Sequence, residues 1–168
     1  MAATEYTKFT AQQIAQFFIS KANESGEVMS LMKLLKLVYI AQGVHLVRSN
    51  GLPLFEDRIC AWTYGPVVEN LYHLYKRFGN GHIFDSEPLS VEVSNDTKVM
   101  YELQSVWKTF GKWTAIKLSN WTHEKDSPWD IVWNKQKGNA IKSAPIPNQI
   151  ILNYFVKFVK KEDGSTSE

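Results

Sequence analysis

The chain is poor in cysteine and in net charge, and each shortage excludes a class of protein. The single cysteine, Cys60, excludes a disulfide framework and a cysteine-rich zinc site. A lone thiol suits a reducing compartment, so we expect a cytoplasmic protein. The net charge is only +2, from 19 basic and 17 acidic residues. This is too weak to attract nucleic acid by electrostatics alone, so we do not expect a nucleic-acid partner.

Long apolar runs are also missing. The most apolar stretch, residues 31–47, is interrupted by Lys33 and Lys36, whereas a bilayer span needs about 20 predominantly apolar residues. The first residues contain no apolar run of the signal-peptide kind. We therefore interpret residues 31–47 as a buried helix and expect no membrane segment.

Helical spacing of apolar residues dominates what is present. Thr10, with Gln13 three residues later, predicts a capping box for a helix over 11–24, and Ser30 caps the apolar helix that follows. Gly65 precedes Pro66, and proline suits the first helical position, so Pro66 is expected to open a helix ending near residue 78. Further helices are expected at 95/96–110, from 114, from 128 and over 148–161.

Extended segments are few in this pattern. Residues 59–64 and 89–93 show short alternation of the kind that strands adopt. The fold class is therefore mainly α, a single compact helical domain of about six or seven helices with room for a small β-hairpin or short strands. We divide the chain into an N-terminal extension (1–9), the helical domain (10–161) and a disordered tail (162–168).

Residues that could carry chemistry form no recognised constellation. His123, Glu124 and Asp126 are the densest polar cluster, which is open to a metal or acid/base interpretation and to one as helix-end capping groups. We favour capping. Cys60 has only Arg58 nearby to activate it, and free cysteines usually behave as small buried apolar groups. We expect no catalytic residue, no metal ligand and no cofactor.

Aromatic residues are frequent at 13%, and six of them are tryptophans. Four of them cluster in sequence, at Trp113, Trp121, Trp129 and Trp133. Tryptophan is common both in cores and at interface hot spots. We expect at least two of the four to lie in the core and the others to be available to a partner.

Three ordered motifs resemble one known family, the Panacea antitoxin domain, also described as the SocA-like or GepA-like prophage-associated domain. The motifs are KLLKLVYIAQGVHL, GLPLFEDRICAWTYGPVVENLYHLYK and LSNWTHEKDSPWDIVWN. The positions that carry the likeness are Lys36, Leu37, Tyr39, Ala41, Ala61, Trp62, Tyr64, Gly65, Pro66, Val67, Leu118, Ser119, Thr122, His123, Pro128 and Trp129. The resemblance covers residues 10 to 160, nearly the whole chain.

The resemblance implies a mostly helical bacterial or phage protein that neutralises an adjacently encoded toxin by direct contact. One branch of the family acts instead as a proteolytic adaptor that delivers its toxin to a protease. Some members carry an additional DNA-binding or zinc-binding segment, for which residues 1–9 offer neither length nor cysteines, so we do not expect DNA binding. The toxins paired with the family are chemically diverse, so this sequence does not predict the chemistry of the toxin.

Function is accordingly predicted as that of a type II antitoxin with a cognate protein toxin as partner. A proteolytic adaptor and, third, an enzyme built on His123 and its acidic neighbours are the alternatives. A homodimer and a hetero-oligomer with the toxin both stay open. The predicted partner-binding residues are Trp62, Tyr64, Pro66, His123, Asp126 and Trp129.

Overall fold

The computed structural model describes residues 9–84 and 87–159, and these residues form eight α-helices and a small three-stranded sheet. The helices are α1 (Ala11–Ser25), α2 (Leu31–Arg48), α3 (Glu69–Tyr75), α4 (Val91–Asn95), α5 (Thr97–Phe110), α6 (Ala115–Thr122), α7 (Pro128–Asp130) and α8 (Asn148–Phe155). The strands are β1 (Ile59–Trp62), β2 (Gly65–Val68) and β3 (Ala144–Pro145). A 3₁₀ turn follows α3 at Lys76–Phe78, and a π-helical turn follows α7 at Ile131–Lys135. A second 3₁₀ turn lies at Gly138–Ala140. The mainly helical prediction is confirmed.

The first two helices begin at the capping residues that the sequence predicts. The Thr10 hydroxyl accepts from the Gln13 amide, and the Gln13 side chain accepts from the Thr10 amide, which completes the predicted capping box. The Ser30 hydroxyl accepts from the Lys33 amide and starts α2. Both predicted helices are confirmed to within one residue at each end.

α2 is the central element of the core. Fourteen of its 18 residues are buried, including two lysines and a glutamine. It packs against α1, α5, α6, α8 and the sheet, so every side of it has a neighbour. Among residues 9–84 and 87–159, no helix is both long enough and apolar enough to cross a membrane.

The sheet has the strand order β2-β1-β3, with both pairings antiparallel. The strand expected within 59–64 is therefore confirmed, and it forms a hairpin in which Trp62 pairs with Gly65. The prediction that Pro66 opens a helix is wrong, because Pro66 lies in β2 opposite Ala61 and α3 begins only at Glu69. β2 is an edge strand, where a sheet tolerates the missing proline N–H.

The strand expected over 89–93 is also wrong. Ser90 caps the short helix α4 instead, accepting from the Val93 amide at 3.2 Å. Val93 is the one buried residue of this helix. The apolar residues at 89, 91 and 93 therefore do not form one buried face of a strand. α4 has only five residues and has no counterpart among the predicted helices.

The C-terminal part packs its aromatic residues against α2. α8 ends at Phe155, short of the expected residue 161, and turns continue to Phe158. Of the four clustered tryptophans, Trp129 alone is buried, while Trp113, Trp121 and Trp133 are half-buried against the core. The expectation of at least two core tryptophans was therefore too high.

The predicted domain ends lie largely outside the described residues. Residues 1–8 and 160–168 fall there, and with them the predicted disordered tail. Phe9, assigned above to the N-terminal extension, packs into the core with 6% of its surface exposed.

Candidate functional site

The turn of the β1–β2 hairpin is closed by a glycine that no other residue could replace without strain. Thr63 and Tyr64 form the exposed turn between paired Trp62 and Gly65. Gly65 has φ +112°, a conformation that favours glycine. A Cβ at this position would lie 2.9 Å from both Lys36 Cε and Thr122 Oγ1. The absence of a side chain thus lets the hairpin sit directly on α2 and α6.

Three consecutive carbonyl groups of the turn are each bound by a side chain from behind. Trp129 Nε1 donates to the Trp62 carbonyl at 2.6 Å, and the Ser119 hydroxyl donates to the Tyr64 carbonyl at 3.2 Å. His123 Nε2 lies 3.1 Å from the Thr63 carbonyl. These bonds tie the turn to α6 and α7, so its backbone is held in one conformation before any partner arrives.

His123 is fixed on both sides of its ring. Its Nδ1 lies 2.6 Å from the Ser119 carbonyl, and the ring packs on Trp129 with centroids 4.1 Å apart. A neutral imidazole carries one N–H and can donate to one of the two carbonyls, whereas the protonated ring can donate to both. In either form, the geometry makes His123 a support of the turn.

In front of the turn lies an open cavity of about 1160 Å³, which we call the hairpin groove. It is lined by residues of α2, the hairpin, α3 and the turn that follows it (76–80), the start of α6, Trp133 and the segment 141–143. Its defining side chains are Lys36, Trp62, Tyr64, Tyr72, Ile116 and Ile141. Cavities of this size and largely apolar lining are typical of binding sites.

Large apolar side chains stand unprotected around the groove. Tyr64, Ile116 and Ile141 expose 69%, 71% and 61% of their surface, respectively. They come from three separate elements and all line the same cavity. Single exposed apolar residues are ordinary on a protein surface, but a group around one cavity makes that cavity the candidate interaction site of this chain.

The wall of the groove on the hairpin side is made rigid by a bonded chain of side chains. Trp62 Nε1 donates to the Ser143 hydroxyl at 2.7 Å, and that hydroxyl donates in turn to the Glu69 carboxylate. The Trp62 ring meets Tyr72 edge to face at 4.8 Å. The segment 141–143 is thereby attached to both the hairpin and α3.

Lys36 is the most unusual charged residue of the groove, since only 1% of its surface is exposed. Its Nζ donates to the Pro66 carbonyl at 3.2 Å. Burial lowers the pKa of this amine from 10.5 to about 7. Lys33, one turn earlier, is also buried but donates to the Gly111 carbonyl and does not line the groove.

The polar cluster after α6 does not come together as an enzyme site would. Asp126 is exposed and forms an ion pair with Lys135, whose hydrogen bond lowers the pKa of the aspartate. His123 is bound to backbone carbonyls instead, and Cys60 is buried in β1. In the described ranges 9–84 and 87–159, no three His, Cys, Asp or Glu residues are grouped to hold a metal ion.

The predicted partner-binding residues therefore separate into three sets. Trp62 and Tyr64 line the groove, and Pro66 lies behind it with its carbonyl on Lys36. His123 and Trp129 support the turn from the opposite side. Asp126 lies outside the set of residues that line the groove.

Sequence reasoning missed Lys36, Tyr72, Ile116, Ile141 and Ser143 as groove residues. One signal was available: Lys36 interrupts the most apolar stretch of the chain, where a lysine needs a reason to be present. The other four come from three segments far apart in sequence, with Ile141 and Ser143 in the same one, and no local pattern places these segments together.

Comparison with known proteins gives the family. The model of the family described as "Antitoxin SocA-like, Panacea domain" matches residues 34–130, more than half of the chain. This chain is a member of the SocA-like Panacea family. The match includes Lys36, the hairpin turn and the residues that support it, so the family resemblance noted in the sequence is confirmed.

A curated relative also matches this Panacea-family chain over most of its length. It is named Antitoxin SocA, from Caulobacter vibrioides (strain NA1000 / CB15N), and is 27% identical over 154 residues. The aligned region covers 86% of this chain and 81% of the relative. No solved structure matches the chain.

Proposed function

We propose that this protein is the antitoxin of a bacterial or prophage type II system and that it neutralises a cognate protein toxin by direct binding at the hairpin groove. Family membership supports the antitoxin role. The observation that carries the location is the group of exposed apolar side chains, Tyr64, Ile116 and Ile141, around one open cavity. In this proposal the chain acts by binding the toxin and blocking its activity, and it catalyses no reaction.

The rigidity of the turn favours binding. A flexible loop loses conformational entropy when it is ordered by a partner, at a cost of about 0.5–1.5 kcal/mol for each immobilised side chain. Here the carbonyls of Trp62, Thr63 and Tyr64 are already bound by the protein itself. The backbone that carries Tyr64 is therefore already ordered, so a partner that covers this residue does not have to order the turn as well.

The direct test is co-expression with the product of the reading frame adjacent to this gene. We expect that product to arrest growth alone and this chain to restore growth. A neighbour that is harmless alone, or one that is equally toxic with and without this chain, contradicts the antitoxin role. Toxin level is followed in the same cultures, because an unchanged level supports direct neutralisation and a shortened half-life supports the proteolytic adaptor.

The location is tested by a matched pair of tyrosine variants. Tyr64→Ala removes an exposed ring from the groove, and Tyr101→Ala removes an exposed ring from α5, outside the groove. We expect Tyr64→Ala to weaken toxin binding by about tenfold or more, as hot-spot truncations do, and Tyr101→Ala to stay within about twofold. Equal affinities for the two variants would place the toxin on another surface.

A further inference from the structure

Positive charge is concentrated at the hairpin groove beyond what the whole chain would suggest. Its charged lining residues are Lys36, Lys76 and Lys142 against a single carboxylate, Glu69. Over the whole chain the balance is nearly even, with 19 basic and 17 acidic residues. The Glu69 carboxylate, which accepts from the Ser143 hydroxyl, offsets one of the three lysine charges, so the basic residues of the lining still outnumber the acidic ones.

The three amines stand at different depths of the groove. Lys76 and Lys142 are exposed, whereas Lys36 is almost fully buried. An ammonium group has three donors, and the described structure gives Lys36 one acceptor, the Pro66 carbonyl. A buried charge with this little compensation costs folding free energy, and a carboxylate brought to it by a partner would offset that cost.

Apolar surface accompanies the charge. Ile116 and Ile141 are branched aliphatic side chains that lie exposed beside the groove, and Leu31 and Leu35 of α2 form part of its lining. Aliphatic surface suits leucine-like or aromatic side chains of a protein. The lysines and aromatic rings of the groove also suit phosphates and stacked bases, so the exposed aliphatic surface is the feature that favours a protein segment over a nucleic acid.

We infer that the hairpin groove receives an acidic, partly apolar segment of the toxin, with carboxylates pairing with Lys76 and Lys142 at the rim and facing Lys36 in the wall. The inference rests on the proposed function, since it names the chemistry of the partner at the same site. Apolar side chains of that segment would cover Ile116 and Ile141. Electrostatic attraction would then speed association and select among partners.

The first test reverses two charges at the groove and, as a control, two charges elsewhere. Lys76→Glu/Lys142→Glu changes the rim, and Lys108→Glu/Lys112→Glu changes two exposed lysines outside the groove. Both double variants alter the net charge equally, from +2 to −2, so long-range effects are matched. The toxin used is the adjacent gene product carrying an inactivating substitution.

The rim variant should bind this toxin at least tenfold more weakly than the wild type, and the control variant should stay within about threefold. The salt dependence of the association rate should also flatten more in the rim variant than in the control variant. If both double variants weaken binding equally, or neither does, the acidic segment is ruled out while the antitoxin role stands. Binding of a single-stranded oligonucleotide at the groove, competing with toxin, would overturn the inference in favour of nucleic acid.

The second test needs no toxin and therefore survives a failure of the proposed function. The probes are 4-phenylbutyrate and its uncharged analogue 4-phenylbutyramide, titrated into the full chain while the methyl signals of Ile116 and Ile141 are followed by NMR. We expect the carboxylate to bind at least several-fold more tightly than the amide. Lys36→Met should reduce this preference, because only the rim lysines then remain to favour the carboxylate, and the matched buried-lysine variant Lys33→Met should retain it in full.

Equal binding of the two probes, or no binding of either at the groove, overturns carboxylate recognition by Lys36. Thermal melts of both lysine variants establish that they fold. A wild-type chain that prefers the carboxylate but does not protect cells from the adjacent gene product would refute the antitoxin proposal alone. The two failures are thus distinguishable.

Discussion

α2 and the β1–β2 hairpin lie next to each other and are held in place by different means. α2 is surrounded by α1, α5, α6 and α8, and its position follows from buried apolar area. The hairpin turn is exposed in front, and hydrogen bonds from Ser119, His123 and Trp129 hold it from behind. Burial thus builds a scaffold, and directed polar contacts on that scaffold give the exposed turn a fixed shape.

The largest expected effect comes from breaking the scaffold. The Phe155 ring of α8 lies on Gly43 of α2 so closely that a Cβ at Gly43 would fall 2.5 Å from it. Only 2% of Phe155 is exposed. Phe155→Ala should lower the free energy of unfolding by about 3–5 kcal/mol, measured by urea denaturation, because it leaves a cavity in the core.

The toxin affinity of Phe155→Ala tests whether the scaffold and the hairpin turn have separate roles. At a low temperature where Phe155→Ala is still folded, its affinity for the toxin should stay within about twofold of wild type. A large loss of affinity in the folded variant would mean that α8 is part of the binding surface, and the division between scaffold and turn would be wrong.

The next effect concerns Lys36, the buried lysine of α2 whose amine donates to the Pro66 carbonyl of the hairpin. The folded-state pKa of Lys36 is about 7, below its unfolded value of 10.5, so the unfolded chain binds the proton more tightly. The resulting penalty is fully present below pH 7 and fades as pH rises toward 10.5. Lys36→Met removes the penalty and should raise the free energy of unfolding near pH 7 by up to roughly 4 kcal/mol.

The difference between Lys36→Met and wild type should shrink as pH rises from 7 to 10, in urea denaturation series at several pH values. Comparing the two proteins at each pH cancels the other titrating groups. A gain that is constant with pH would show that the amine is not strained by burial.

The smallest of the three effects tests the hairpin itself. Gly65→Ala places a Cβ where φ is +112° and where Lys36, Thr122 and His123 already lie close. The substitution should cost about 1–3 kcal/mol of stability, as strained or overpacked positions do. It should weaken toxin binding more than this modest loss of stability explains, because the turn shifts. Unchanged toxin affinity in a measurably destabilised variant would contradict a role for the turn's conformation.

Local signals predicted the scaffold well. Thr10 and Ser30 cap the helices that the sequence assigned to them. The helices expected from 95/96, 114 and 128 are also present, and their caps are Asp96, Thr114 and Ser127. A cap and the helical spacing behind it depend only on residues within a few positions, so one sequence contains the information. The same reasoning failed where the structure depends on distant partners.

The hairpin shows why it failed there. Gly65 and Pro66 are locally compatible with a helix start, and their pairing with β1 is stabilised by β3 and by α6 and α7, much later in the chain. Trp62 and Tyr64 were predicted as partner-binding and do line the groove, yet His123 and Trp129 support the turn from behind. Whether any of the six touches the toxin stays a prediction.

The central claim, that the toxin covers the hairpin groove, is tested most directly by hydrogen exchange. Amide protection of the full chain is measured with and without the inactivated product of the adjacent gene. We predict new protection over 61–64, 115–116 and 141–143, with the α5 surface around Tyr101 unchanged. Protection confined to α5, with exchange in the hairpin groove unaltered, would contradict the account.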